Sequence, residues 1–239
     1  MLRAIVIVLA LRELCLRAQC MKGVVMARRT KEDAEITRSR LLDAAEEVFY
    51  EKGVGGASLL DVAQAASLTR GAIYWHFKDK ADLFDAMMQR ATLPLEQAWQ
   101  TALGKSAEAK DALQSILVVL RDVLRLVGLS ASMRRVFDIA IYKVECVGEM
   151  LAVRERRLMG VKRFTEEMGV VLQLAAEQEG VTFPSSVTAA ARGLHAVFDG
   201  ILQAWVLYEM DPFDLETEGM DAVHVYLRGL DFKIPKEIP

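Results

Sequence analysis

Arg70, Tyr74, His76, Lys78 and Lys80 crowd one short stretch of the chain, and their chemistry is recognition rather than bond-making. An arginine presents paired donors that match O6 and N7 of guanine. A lysine at the start of a helix adds a point charge to backbone N–H groups already suited to an anion. Gly71 and Ala72 lie among these residues and lack the bulk that would hold a helix away from base edges. Nothing comparable supports catalysis. The three histidines, His76, His195 and His224, and the scattered carboxylates form no Ser-His-Asp order, metal cluster, phosphate loop or dinucleotide fingerprint. Cys15, Cys20 and Cys146 lack C-x-x-C spacing and paired histidines. No enzyme activity, metal, cofactor or disulfide framework is expected, and the thiols read as free in a reducing cytoplasm.

The elements that must position these residues follow from periodicity. Leu41, Ala45, Val48 and Phe49 recur at helical spacing from Thr37 onward, and Lys52-Gly53 supplies a stop signal. Ser58 with Asp61 makes a variant capping box for a short helix whose stripe is Leu59, Val62, Ala63 and Ala66. Ser67-Leu68 reads as a tight turn, and Thr69 as the N-cap of a third helix from Arg70 to His76. Ile73 and Phe77 form its inward side, leaving Thr69, Arg70, Tyr74 and His76 facing out. Trp75 reads as core, because an indole is a large apolar group best used in packing. Asp79 with Asp82 caps a fourth helix with the stripe Leu83, Met87 and Met88. Two short helices joined by a three- or four-residue turn and braced by a first helix make the helix-turn-helix pattern. An ordinary helical hairpin inside a bundle satisfies the same periodicity.

The composition suits such an architecture. The chain has 239 residues, 53% hydrophobic and 26% charged, with only five prolines to interrupt helices, so an all-α class with a sizeable core is expected. The net charge of −3 excludes a uniformly basic protein, yet basic residues gather at Arg28, Arg29 and Lys31 and again at Arg70, Lys78 and Lys80, while acidic residues are commoner downstream, as from Asp211 to Asp221. That asymmetry fits a small nucleic-acid module joined to a larger domain. Arg28, Arg29 and Lys31 read either as an arm on phosphates or as a solvated tail. Residues 1–25 include the apolar run Ala4–Leu11, too short to span a bilayer and followed at once by Arg12, Glu13 and Arg17. We read this segment as a leader from an upstream start codon, with Met26 beginning the functional chain. The alternatives are a signal or an interfacial anchor, the latter making a membrane-tethered interaction protein.

The stretch Leu68-Thr69-Arg70-Gly71-Ala72-Ile73-Tyr74-Trp75-His76-Phe77-Lys78-Asp79-Lys80 resembles the recognition-helix signature of TetR-family regulators, above all the AcrR-like regulators of multidrug efflux pumps. Arg28-Arg29-Thr30-Lys31-Glu32 and the helix from Thr37 to Gly53 resemble that group too. The resemblance implies an N-terminal three-helix DNA-binding domain over 26–85 and a C-terminal ligand-binding and dimerisation domain over 86–239. It implies phosphate contacts from Tyr74 and Lys80, and Thr69, Arg70, Gly71, Ala72 and His76 at or near the groove floor. Ser58 joins them as a candidate DNA contact.

In the larger half we read helices at about 108–128, 131–144, 148–179, 186–210 and 215–231, with breaks at Thr182–Ser186 and Asp211-Pro212. Arg134-Arg135 and Lys143–Met150 again resemble AcrR-like proteins; Lys143 and Glu145 read as a surface pair. The resemblance implies an apolar cavity lined at Phe137, Ile141, His195, Phe198 and Gln203. Relatives often carry polar residues at the first two positions, which makes this pocket greasier; plain core packing is the competing reading for these side chains. Val187, Ala190, Leu194, Val197, Ile201 and Trp205 form one stripe, and Met220, Val223, Leu227 and Leu230 another. These stripes are expected to pair with a second copy, giving a homodimer through the two C-terminal helices. The expected partners are near-palindromic double-stranded operator DNA and a small hydrophobic inducer, with no membrane. The expected signal path is the helix from Asp79 to about Leu93, ending or kinking at Pro94.

Overall fold

The computed structural model describes residues 26–106, 111–211 and 213–234, with the side chains of 26–30, 102–106 and 149 excepted. Residues 1–25, expected above to be a leader, with Cys15 and Cys20 among them, the side chains of Arg28 and Arg29, and Pro212 lie outside the described residues. Among the described residues nine α-helices follow in order: α1 Met26–Gly56, α2 Leu59–Ala65, α3 Arg70–His76, α4 Lys80–Ser106, α5 Ala112–Gly128, α6 Ala131–Tyr142, α7 Leu151–Glu179, α8 Val187–Leu207 and α9 Leu215–Arg228. A short 3₁₀ turn at Gly148–Met150 precedes α7. No described helix is long and apolar enough to cross a membrane.

The described chain divides into two compact units. One holds the helices up to Ala91 together with Arg135–Arg156; the other holds Thr92–Arg134 and the chain from Arg157 onward. The first unit is organised by local signals. Gly53 breaks α1 with φ 72°, a conformation that favours glycine over any residue with a Cβ. Ser58 and Asp61 form the expected reciprocal cap: Asp61 N–H donates to Ser58 Oγ at 3.2 Å and Ser58 N–H to Asp61 Oδ2 at 2.8 Å. Asp61 also binds Lys52 Nζ at 2.5 Å, and this bond, ahead of those from Ser58, holds its carboxyl below the usual carboxylate range. Ser67 takes φ 53° in the turn, where its N–H donates to Gln64 O and that of Leu68 to Ala63 O. Thr69 Oγ1 then caps α3 by accepting from Ala72 N–H. Leu41, Phe49, Val62, Ile73, Phe77, Leu83 and Met87 bury the inward stripes.

The second unit is built from longer amphipathic helices. Asp111, Ser186 and Asp214 cap α5, α8 and α9 by accepting backbone N–H bonds from Gln114, Ala189 and Thr217. Close packing of α8 on α9 depends on Gly193: a Cβ there would overlap the Tyr226 ring, whose hydroxyl donates to Ala190 O at 2.9 Å. Gly219 similarly admits Leu124 of α5.

Three expectations need correction. Of the two outcomes expected at Pro94, an end or a kink, the end does not occur: α4 continues through Pro94 to Ser106, since the neighbouring turns of a long helix retain their bonds around one missing donor. Much of the two stripes assigned to a second copy is interior to one chain: Ala190, Leu194, Trp205, Met220, Val223 and Leu227 are buried. The exposed positions on those helices include Ala189, Ala196, Gly200, Leu207 and Val225. Lys143 does not pair with Glu145; its Nζ pairs with Asp138 at 3.0 Å and donates to Tyr50 O at 2.7 Å.

Candidate nucleic-acid interface and ligand site

α3 is short, and its orientation comes from packing. Ile73 and Phe77 are almost fully buried, and Arg38 of α1 lies 5.1 Å from the Phe77 ring centroid. Arg40 of α1 donates to Ala66 O at the end of α2, so the first helix braces the pair behind it. The opposite face of α3 is open. Thr69, Arg70, Gly71 and Tyr74 are exposed, while Ala72 and His76 are half-buried. Arg70 lies over the Tyr74 ring, with Cζ 5.5 Å from the centroid. The guanidinium thus has a holding position in the free protein, stabilised by the ring's negative face.

Trp75 contradicts the expectation of a core residue: it is 72% exposed and meets His76 edge-on at 4.5 Å. Periodicity contained the signal. Position 75 falls between Ile73 and Phe77 and so points away from the stripe they share. His76 is held below its ordinary pKa by burial first and by the positive charge of Arg38 second, with Glu35 opposing. It therefore meets its surroundings as a neutral imidazole near pH 7.

Two other candidates are engaged within the protein. The Ser58 hydroxyl is occupied by Asp61 in the cap. Lys80 Nζ donates to Ala57 O at 3.1 Å and Gly55 O at 3.4 Å, which places its charge beside the turn leading into α2. Asp79 and Asp82 cap α4, with Asp82 N–H donating to Asp79 Oδ1 and Lys78 N–H to Asp82 Oδ2.

The five candidate pocket residues divide between the units. Phe137 and Ile141 are buried in the unit that contains α3. His195, Phe198 and Gln203 belong to the other unit, where Trp99, Phe164 and His195 form an aromatic file. Trp99 stacks on Phe164 at 5.1 Å, and Phe164 meets His195 edge-on at 5.1 Å. Trp99 Nε1 donates to Glu167 Oε2 at 2.8 Å. Gln203 Nε2 donates to Asp199 Oδ2 at 2.6 Å. His195 is 2% exposed, and its Nε2 has no hydrogen-bond partner among the described residues. Burial holds its pKa below the ordinary histidine value, against the pull of Asp199. A separate cavity of about 490 Å³ opens along α4 and α5, lined by Gln97, Thr101, Gln114, Ser115, Val118 and Asp122 among others. None of the five sequence-derived pocket residues lines it. Its polar rim comes from two helices whose mutual approach no local pattern reports.

Residues 41–87, which include the whole of α2 and α3, match the bacterial regulatory proteins of the tetR family, and residues 111–232 match the C-terminal region of MAATS-type transcriptional repressors. This chain belongs to the TetR family. The transcriptional regulator TtgR of Pseudomonas putida is 34% identical over 184 residues, 76% of this chain and 86% of that protein. The repressor BepR of Brucella suis is 34% identical over 214 residues, covering 89% and 99% of the two chains. The crystal structure of native NalD, the secondary repressor of the MexAB-OprM multidrug efflux pump in Pseudomonas aeruginosa, superposes with a TM-score of 0.73. NalD is 31% identical and covers 82% of this chain and 97% of its own. SmeT in complex with triclosan gives a TM-score of 0.70 at 27% identity, covering 85% and 97%. The helix-turn-helix of a TetR-family transcriptional regulator is therefore the frame in which Arg70, Tyr74 and Trp75 are to be understood.

Proposed function

We propose that this TetR-family regulator is a homodimeric, cytoplasmic repressor that binds near-palindromic operator DNA at a multidrug efflux operon and leaves it when a small hydrophobic compound binds. The observation that carries the reading is the open face of α3, where Arg70 and Tyr74 stand exposed opposite the buried Ile73 and Phe77. In this reading Arg70 contacts a base edge, and Gly71 and Ala72 let the helix approach the groove floor. Tyr74 and Lys80 bind phosphate, Thr69 and His76 flank the groove, and Ser58 supports the backbone at the start of α2. Trp75 offers an apolar surface to a thymine methyl or a sugar. The chain from Met26 to about Asp85 is the DNA-binding domain; the rest binds ligand and dimerises through α8 and α9, using Ala189, Ala196, Gly200 and Val225 in place of the buried stripes.

NalD and SmeT are each named as repressors of a multidrug efflux pump, and the triclosan complex of SmeT supports a ligand that is small and apolar. The aromatic file ending at His195 is suited to such a molecule, with Nε2 as its polar anchor and Phe198 and Gln203 nearby on α8. A ligand that favours the non-binding arrangement by roughly 1–3 kcal/mol lowers operator affinity about 5- to 150-fold. The test is a gel shift with the intergenic DNA beside the gene, comparing wild type with Arg70→Ala and Tyr74→Ala. Weaker binding by both variants supports the reading; binding as tight as wild type by both rejects α3 as the reader.

A further inference from the structure

The cavity along α4 and α5 lies wholly within the larger unit, and none of its described lining residues belongs to the aromatic file. One wall is Gln97, Ala98 and Thr101 of α4; the other is Gln114, Ser115, Val118, Val119 and Asp122 of α5. Positions 114, 118 and 122 recur at helical spacing and share one face of α5. The opposite face of that helix is spent on the core, where Leu113, Leu117, Leu120 and Leu124 are buried. Side-chain size opens the space: Ala98 on one wall and Ser115 and Val118 on the other are too short to fill it. Its volume of about 490 Å³ falls in the range of sites that hold drug-sized molecules.

The chemistry of the walls is selective. Asp122 is the one charged residue among the described lining side chains, and it is exposed. Both hydroxyls have already committed their protons. Thr101 Oγ1 donates to Gln97 O at 2.8 Å and Ser115 Oγ to Asp111 O at 3.0 Å, so each has only acceptor lone pairs left to offer. The amide oxygens of Gln97 and Gln114 add further acceptors. Val118, 40% exposed, lies with Ala98 and the buried Val119 as an apolar floor. No aromatic ring stands among the described lining residues, so a flat aromatic cation finds no face to stack on. An anion is repelled by Asp122. A quaternary ammonium matches the charge but has no N–H for the acceptors. A primary ammonium combines a positive charge with three N–H donors, and an alkyl chain behind it suits the valines.

We propose that the α4–α5 groove is a second binding site of this protein, for a primary amine with an aliphatic body. Asp122 pairs with the ammonium, Thr101 and Ser115 accept from donors along the groove, and Ala98, Val118 and Val119 hold the chain. The site is separate from the one assigned above to a hydrophobic inducer, and it stands whether or not the repressor reading holds.

Calorimetric titration of the full chain with octylamine near neutral pH, where an alkylamine is charged, tests this. Saturable binding is expected, with protection from hydrogen exchange gained in 97–101 and 114–122. Octyltrimethylammonium has the same chain and charge but no N–H, and should bind about tenfold more weakly. Asp122→Asn should weaken octylamine about tenfold, and added salt should weaken it in wild type. Val118→Lys places a like charge in the groove and should abolish binding. Both positions are exposed, so melting curves close to wild type are expected; if one variant fails to fold, the other carries the test. Equal affinity for the two octyl compounds rejects the primary amine as the ligand. Wild-type affinity in the folded variants, or protection gained at 164 and 195–203 instead, rejects the groove as the site. Absence of octylamine binding up to about 10 mM rejects the proposal as a whole.

Discussion

The helix-turn-helix unit and the larger unit solve the same problem by different means. In the first, short helices are placed by signals a few residues apart: the Ser58–Asp61 box, the Ser67 turn, the Thr69 cap and the Asp79–Asp82 cap. In the second, long helices meet through residues far apart in sequence, such as Gly193 with Tyr226 and Trp99 with Phe164 and Glu167. A short helix is marginal alone, so its ends and one buried face must agree on a single placement. A long amphipathic helix has apolar area to spare and can pack in several ways until specific shapes select one. The contrast also suits the work proposed for each: a reader needs one rigid shape, whereas a ligand-responsive unit needs a second arrangement within reach.

The sharpest test of this contrast is to remove a core aromatic from each unit. Phe77→Ala and Phe198→Ala should each cost roughly 3–5 kcal/mol in denaturant unfolding. Hydrogen exchange should place the damage of the first in 41–91 and of the second in 112–134 and 187–207; simultaneous loss of both regions in either variant would break the distinction. A smaller effect is expected at the α8–α9 contact, where Gly193→Ala forces Tyr226 to move and costs about 1–3 kcal/mol by urea titration. Thr69→Ala removes the side-chain acceptor at the start of α3 and should cost about 1 kcal/mol, with little change in the larger unit. Trp75→Ala should leave stability within about 0.5 kcal/mol of wild type, because its ring packs on so little. Its operator affinity should nevertheless fall in the gel shift, which separates a contact from a support.

Acidification gives a further comparison. His195, His76 and His224 are all held below the ordinary value, mainly by burial. The unfolded chain therefore takes up protons first as pH falls through about 6.5, and the folded state loses stability from there down to each depressed value. Melting temperature should drop between pH 7.5 and 5.5, and His195→Gln should flatten that dependence, provided the variant folds. An unchanged slope would show that His195 titrates normally in the folded protein.

Much of this was legible beforehand. The helix-turn-helix could be placed from Gly53, Ser58, Thr69 and Asp79, because caps and turns act over three or four residues. The helices 131–144, 148–179, 186–210 and 215–231 came close to α6 through α9 because stripes at helical spacing persist over several turns. For Trp75 the residue type points to the core, whereas its position in the repeat points outward, and position prevails. The stripes on α8 and α9 were correctly apolar but wrongly directed outward: periodicity reports that a face is buried and cannot say against what.

The amino-acid sequence by itself determined that this protein is all-helical, where its short helices begin and end, and which face of α3 turns inward. Each of those outcomes is set by neighbours along the chain. Only the tertiary structure decided that His195 closes an aromatic file with one unsatisfied nitrogen, that α9 buries its stripe within its own subunit, and that Asp122 shares a groove with Gln97 and Thr101 of α4. Those outcomes depend on which helices approach one another, and that is settled by packing shape and charge across long separations in sequence.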